Sequence, residues 1–201
     1  MSVTVKTERK KKSKQKKSIP NYLVYEVIDG KKIYYRDYKK VVSGELEPEA
    51  VMGSSDLQGW IISTVVGFLF KSLDSKKYMI MSGEVGYHYN PAKKRNWVNL
   101  DIAIVSKEKL KKPEGSYLKV PPEVVIEVDT KADLSEMKDE YYILKTNKLL
   151  KSGVKKVIWI FTKYKKVMIA QEDKDWLITD WNKDVEVMDN IYINIENLLK
   201  D

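Results

Sequence analysis

The chain has 201 residues, of which 43% are hydrophobic, and this is enough for one domain with a substantial core. It contains no cysteine, which excludes disulfides and thiolate metal sites. No apolar run approaches the roughly 20 residues that span a bilayer, and the charged N-terminus lacks the apolar segment of a secretory signal. We therefore expect a cytoplasmic protein that does not interact with a membrane.

The formal net charge of +8 is concentrated in one short segment. Residues 6–17, KTERKKKSKQKK, contain eight lysines and arginines and one glutamate, which gives +7 and leaves about +1 for the rest of the chain. This composition predicts a disordered basic tail over residues 1–20 and one domain over residues 21–201. Such a tail either binds nucleic-acid phosphates without sequence preference or serves only solubility. Its candidate phosphate-binding residues are Arg9, Lys10, Lys11, Lys12, Lys14, Lys16 and Lys17.

The first part of the domain predicts a hairpin and a helix. The stretch YLVYEVIDGKKIYYRDY alternates, turns at Asp29-Gly30 and alternates again, which is typical of a β-hairpin. Further on, Ser54, Ser55 and Asp56 provide helix-capping side chains. The largely apolar run over residues 57–73 then predicts a helix that is buried on most sides.

The second part predicts a sheet interrupted by one helix. Strand-like segments occur at residues 78–89, 97–105, 123–128 and 155–162. A helix over about 134–152 ends at Gly153, and the segments KVMIAQ, WLITDW and VEVM then predict an antiparallel meander before a terminal helix in IENLLK. The order of elements predicts an α/β or α+β fold, with a mixed central sheet flanked by helices. Continuous valine and isoleucine indicate that residues 102–105, 124–128 and 157–161 form central strands.

Acidic residues occur on these apolar strands, where buried carboxylates are costly. In PPEVVIEVDTKAD, Glu123, Glu127 and Asp129 alternate onto one face of the strand, and Asp101 lies on the neighbouring strand NLDIAIV. Glu123, at the start of its strand, is expected to be solvated. Asp101 and Glu127 are expected to be buried side by side, although Asp101 could instead cap a turn and Glu127 could simply pair with a lysine.

A lysine interrupts the apolar face of the helix that follows. Leu134, Met137, Tyr141 and Leu144 form a stripe at helical spacing, and Lys145 lies within that stripe. A helix that packs back on the sheet would direct Lys145 toward the strand of Glu127. The alternative is a lysine at the edge of the stripe whose ammonium reaches solvent.

Asp101, Glu127 and Lys145 together suggest phosphodiester chemistry. Two carboxylates can hold a hard divalent cation such as Mg²⁺ or Mn²⁺. The cation makes a bound water more acidic, and a lysine can orient that water and offset negative charge that develops on the phosphate.

The same residues resemble the Uma-two family of predicted restriction endonucleases, which belongs to the PD-(D/E)XK nuclease superfamily. The resemblance covers about residues 22–200. YEVIDGKKIYY resembles the opening hairpin of the family, SSDLQGWIISTVVGFL its first core helix, LDIAIV its PDvavv motif, PPEVVIEV its PPdlvvEV motif, and KTNKLLKSGVKKVIWIFT its Klelyaea-GVpeYWivd block. This resemblance implies a restriction-endonuclease-like fold and matches Asp101, Glu127 and Lys145 to the acidic and basic residues of the superfamily.

The sequence departs from that pattern at several positions. Asp129 stands where the superfamily lysine follows the glutamate, so it is either an additional metal ligand or a surface acid. Glu84 is a further ligand candidate by its place in the superfamily sheet, or else a turn residue. The segment between Glu127 and Lys145 is longer than in the family, which leaves Lys148 and Lys131 as alternative site lysines.

Two other polar residues receive no site role from the sequence. Glu26 lies in the opening hairpin, and no mechanism is expected for it. His88, the only histidine, is expected to lie on a strand face.

These observations predict a Mg²⁺-dependent endonuclease that hydrolyses phosphodiester bonds in DNA, with the basic tail holding the nucleic-acid backbone. The alternative is a non-catalytic module that keeps the nuclease fold and binds nucleic acid or a protein partner. The near-neutral charge of the domain favours this alternative, because a DNA-cutting domain often has a basic cleft of its own. The resemblance also allows a homodimer, since nucleases of this superfamily often act as dimers.

Overall fold

The structure is a computed structural model that describes residues 18–90, 92, 95–138 and 140–200. Residues 1–17 of the predicted tail, with all seven candidate phosphate-binding residues, lie outside the described residues. Within the described ranges, no helix combines the length and the apolarity that crossing a bilayer requires.

The domain begins with the predicted hairpin, formed by β1 (Val24–Ile28) and β2 (Lys31–Tyr34). Asp29 and Gly30 both adopt positive φ angles, 51° and 77°, as the tight turn requires. The register shifts along β1, where Val24 pairs with Tyr34 but Glu26 pairs with Ile33. This β-bulge accommodates one extra residue and turns two consecutive side chains of β1 into the core.

A six-stranded mixed sheet forms the centre of the domain. Its strands are β3 (Tyr78–Tyr87), β4 (Val98–Ser106), β5 (Val124–Val128), β6 (Lys156–Phe161), β7 (Lys166–Gln171) and β8 (Leu177–Asp180). They lie side by side in that order, and every pair is antiparallel except β5 and β6. The predicted central strands β4, β5 and β6 are almost entirely buried, which confirms the reading of their valine and isoleucine runs.

Helices cover both faces of the sheet. They are α1 (Tyr38–Ser43), α2 (Glu49–Met52), α3 (Asp56–Ser72), α4 (Glu140–Lys151) and α5 (Ile195–Leu198). Helix α4 connects the parallel strands β5 and β6 and packs on the face that carries Val125 and Trp159. Helices α3 and α5 pack on the opposite face, against Ile126 and Ile158. The predicted mixed sheet flanked by helices is therefore confirmed.

Three predicted features differ in the structure. Helix α3 is not buried on most sides, because Trp60 is 52% and Phe70 60% exposed, so its apolar composition overstated its burial. Of the helix predicted over 134–152, the structure describes Glu140–Lys151 as helix α4, whereas residues 135–138 form turns. The segment VEVM does not extend the meander. It forms β9 (Val185–Met188), which pairs with β10 (Ile191–Ile193) in a separate sheet.

Candidate active site

The ammonium group of Lys145 is the centre of a buried charge cluster. Its residue has 0% exposure. The Lys145 Nζ atom lies 2.8 Å from Glu26 Oε1 and 3.1 Å from Glu127 Oε1, and it donates to the backbone oxygen of Asn99 at 2.7 Å. The structure therefore places Lys145 beside Glu127, as the interrupted stripe on α4 indicates. The alternative, a lysine at the edge of the stripe whose ammonium reaches solvent, is wrong.

Glu26 joins three elements around this lysine. Its side chain shares the inner face of β1 with Ile28, two residues further on, and is fully buried. Its Oε1 accepts from the backbone N–H of Asn99 in β4 at 3.0 Å, and its Oε2 accepts from the Tyr141 hydroxyl of α4 at 2.8 Å. Buried carboxylates need such partners to offset the loss of hydration. Glu26 consequently fixes the position of Lys145 relative to β4.

Asp101 and Glu127 lie on the adjacent antiparallel strands β4 and β5. Ile102 pairs with Ile126, so the next position along the same register sets Asp101 opposite Glu127. The Oδ2 atom of Asp101 accepts from the backbone N–H of Val128 at 2.8 Å. The Oε1 atom of Glu127 is buried, and the Lys145 ammonium lies 3.1 Å from it. The Glu127 carboxylate is therefore held by the ion pair with Lys145.

The cluster contains more carboxyl groups than ammonium groups, and this affects their pKa values. Burial raises the pKa of Asp101 and Glu26 and raises that of Glu127 well above its usual range, and the Asp101 and Glu26 charges add to the rise at Glu127. Burial alone would lower the pKa of Lys145, but the neighbouring Glu127 and Glu26 outweigh it and raise that pKa. Lys145 therefore stays protonated, and one ammonium serves three carboxyl groups.

The other predicted site residues lie apart from this cluster. Asp129 has a φ of 55°, which breaks the strand alternation, and its carboxylate accepts from the backbone N–H of Thr162 at 2.9 Å. Glu84 forms an ion pair with Lys131 at the edge of the sheet. Lys148 pairs with Asp29 near the surface and does not reach the buried carboxylates.

Two other polar residues, Glu123 and His88, lie in surroundings that differ from those expected. Glu123 was expected to be solvated, and this is wrong. Its carboxylate is buried between Lys109 and Lys155, each at 2.6 Å, because the loops around the start of β5 cover it. His88 was expected to lie on a strand face, but it follows the end of β3, and its Nδ1 is 3.2 Å from the backbone oxygen of Asn96.

The residues present fit a divalent cation held by two carboxylates. Throughout the described residues, no three Asp, Glu or His side chains are arranged to hold a metal ion, so Asp101, Glu127, Asp129 and Glu84 do not form one cage. Mg²⁺, however, is usually held by only one or two carboxylates, with waters and phosphate oxygens as its other ligands. With all three carboxyl groups ionised, the cluster would have a charge of −2 (−3 + 1) in a buried space, and the raised pKa of each carboxyl group reflects that cost. A divalent cation at Asp101 and Glu127 would offset that charge and favour the ionised carboxylates.

Sequence reasoning missed Glu26, Asn99 and Tyr141 as parts of this site. Alternation along β1 sets Glu26 on the face of the buried Ile28, but the sequence does not indicate which distant residues meet it there. One signal was present in the sequence, since Tyr141 precedes Lys145 by one helical turn on the stripe that faces the sheet. A buried tyrosine hydroxyl requires a partner, and here the partner is Glu26.

Comparison with known proteins adds a likeness of fold. No family model matches the chain, and a search of curated proteins finds no match. Among solved structures, the chain is similar to a protein from Anabaena variabilis ATCC 29413 named "putative nuclease belonging to DUF820". The two share 14% sequence identity with a TM-score of 0.65, over 87% of this chain and 89% of that one. The described domain therefore shares the fold of that protein.

Proposed function

We propose that the protein is a metal-dependent endonuclease that hydrolyses phosphodiester bonds in DNA. The observation that carries this proposal is the pair of buried carboxylates of Asp101 and Glu127 on adjacent strands, beside the buried ammonium of Lys145. The nuclease-like fold supports it. We also propose that the chain is a divergent member of the Uma-two family within the PD-(D/E)XK superfamily, on the motifs that surround these residues.

The roles of the side chains follow from their contacts. Asp101 and Glu127 would hold Mg²⁺ or Mn²⁺, which supplies a more acidic water and stabilises charge on the phosphate. The Val128 N–H fixes the orientation of Asp101. Lys145 favours the ionised form of Glu127 and restrains its carboxylate, and Glu26 in turn restrains Lys145. Because Lys145 has no exposed surface, it assists the attacking water through Glu127 and not by direct contact.

A second candidate function is a non-catalytic module that retains the nuclease fold. The burial of the cluster favours it, since Asp101 is 5% and Glu127 1% exposed, which leaves little of either carboxylate open to a phosphodiester. In this case Lys145, Glu26 and Glu127 serve stability alone, and nucleic-acid binding depends on the basic tail.

Cleavage of supercoiled plasmid DNA separates the two candidates. We expect the full chain to convert the plasmid to open-circular and linear forms when Mg²⁺ or Mn²⁺ is added, and to leave it intact in EDTA. Asp101→Ala should reduce the rate at least a hundredfold, because it removes one of the two candidate ligands. Lys148→Ala, a surface change on α4, serves as the control and should cut like the wild type. Equal cleavage by Asp101→Ala and the wild type would rule out the proposed site.

A further inference from the structure

An open cleft begins where β5 ends, next to the candidate site. It has a volume of about 230 Å³, and its lining includes Arg36, Gln58, Asp129 and Lys131. The peptide groups of Val128 connect it to the buried carboxylates, since the Val128 N–H donates to Asp101 and the Val128 oxygen accepts from the Gln58 amide at 2.8 Å. The cleft is therefore an open space from which a substrate could approach Asp101.

Two cations are fixed together on the wall of this cleft. The backbone N–H of Arg36 donates to the Lys131 oxygen at 2.6 Å, and the Arg36 guanidinium donates to the Thr130 oxygen at 2.7 Å. Arg36 is exposed and forms no ion pair with any described residue. A guanidinium has five N–H donors, so most of those of Arg36 remain available for a phosphate.

Lys131 is held next to the strand of Asp101 by an acid on a strained turn. Its Nζ atom pairs with Glu84 and donates to the Met52 oxygen at 3.1 Å. Glu84 lies on a bulge of β3, with a φ of 56°, at the point where β3 passes Asp101. Both charges act on Asp101. Burial is the main cause of its raised pKa, which Lys131 lowers and Glu84 raises.

The cleft also contains acids, and most of them are already engaged. Asp37 lies 3.0 Å from Lys40, and Asp129 accepts from the backbone N–H and the hydroxyl of Thr162. Glu84 is the acid that directly competes for Lys131. Because these acids are paired with other groups, they compete only in part with a phosphate for the basic residues of the cleft.

We propose that Arg36 and Lys131 bind a backbone phosphate of DNA beside Asp101, and that this phosphate displaces Glu84 from Lys131. The inference rests on the proposed function and adds to it a substrate-binding wall that is separate from the basic tail. Arg36 and Lys131 position the nucleic acid, and Glu84 lowers its affinity until the phosphate is in place.

The test measures binding of a fluorescein-labelled 16-base-pair DNA duplex to the full chain in EDTA, so that no metal-dependent cleavage occurs. Fluorescence anisotropy gives Kd at several salt concentrations. Each phosphate contact contributes about 0.9 to the slope of log K against log salt. We expect Arg36→Ala and Lys131→Ala each to weaken binding at least threefold and to reduce that slope by about one, while Lys131→Arg retains both. Glu84→Gln should strengthen binding at least threefold, because it releases Lys131.

The exposed pair Lys166–Asp180, which joins β7 and β8 at the far side of the sheet, provides the matched controls. Lys166→Ala and Asp180→Asn make the same changes of charge and should leave the slope unaltered. Wild-type affinity and slope in both Arg36→Ala and Lys131→Ala, or weaker binding by Glu84→Gln, would overturn the inference. If the Arg36 and Lys131 variants change the salt slope but the wild type never cuts DNA, only the proposed function is contradicted. If the wild type cuts DNA but these variants leave the salt slope unchanged, only this inference is contradicted.

Discussion

Replacing Lys145 with methionine is expected to destabilise the folded protein by about 3–5 kcal/mol at neutral pH. The substitution keeps the length and helix propensity of the side chain but leaves Glu26 and Glu127 buried without their cation. Removal of one partner from a buried ion pair is far more costly than replacement of the whole pair. Urea unfolding followed by circular dichroism measures the change.

The penalty should also depend on pH in a defined direction. Burial already raises the pKa of Glu26 and Glu127 in the folded protein, and loss of Lys145 would raise both further. The folded variant then binds more protons than the unfolded chain, so its stability falls as pH rises above the unfolded glutamate pKa of about 4.3. The difference from the wild type should therefore be smallest near pH 4 and should grow toward pH 8.

Lys148→Met is the matched control, because Lys148 lies one turn away on the same helix and pairs with the exposed Asp29. We expect it to change stability by less than about 1 kcal/mol at every pH. A Lys145→Met protein as stable as Lys148→Met across this range would show that the buried cluster does not hold the fold together.

Replacing Glu127 with glutamine should abolish cleavage while the protein keeps its fold. The amide keeps the shape of the side chain but removes one of three carboxylates that share a single lysine. The unfolding midpoint should be equal to that of the wild type or higher, since a residue kept for function is often not optimal for stability. Metal-dependent cleavage should fall at least a hundredfold, because an amide is a poor substitute for a carboxylate ligand.

Glu123, at the other end of β5, is the control for this substitution. Its carboxylate pairs with Lys109 and Lys155, so Glu123→Gln should lower stability by about 1–3 kcal/mol while cleavage continues. Glu127→Gln is thus expected to lose cleavage and keep its stability, whereas Glu123→Gln is expected to keep cleavage and lose stability. A Glu127→Gln protein that is destabilised like Glu123→Gln and still cuts DNA would assign Glu127 a purely structural role.

The sequence was sufficient to predict the parts of the site that follow regular periodicity. Lys145 interrupts an apolar helical stripe, and Glu127 lies within a continuous run of buried strand residues. Both patterns survive in the structure because α4 and β5 are regular where these residues lie. The hairpin turn at Asp29-Gly30 was equally predictable, since few residue pairs adopt two positive φ angles.

The parts that could not be predicted depend on long-range partners or on departures from regular geometry. Glu26 lies on the inner face of β1 with Ile28, but its partners come from β4 and α4, far along the chain. Glu84 lies on a bulge in β3, and Asp129 leaves the face of Glu127 because its backbone is left-handed. Local sequence patterns indicate neither the long-range partners nor these two backbone departures.

The most direct test of the account is a calorimetric titration of Mn²⁺ into the full chain at pH 7.5. We predict one saturable site in the wild type, binding at least tenfold weaker in Asp101→Asn and in Glu127→Gln, and unchanged binding in Glu123→Gln. This result would establish the two carboxylates as a metal site independently of any activity. Absence of Mn²⁺ binding by the wild type, or equal binding by all four proteins, would contradict it.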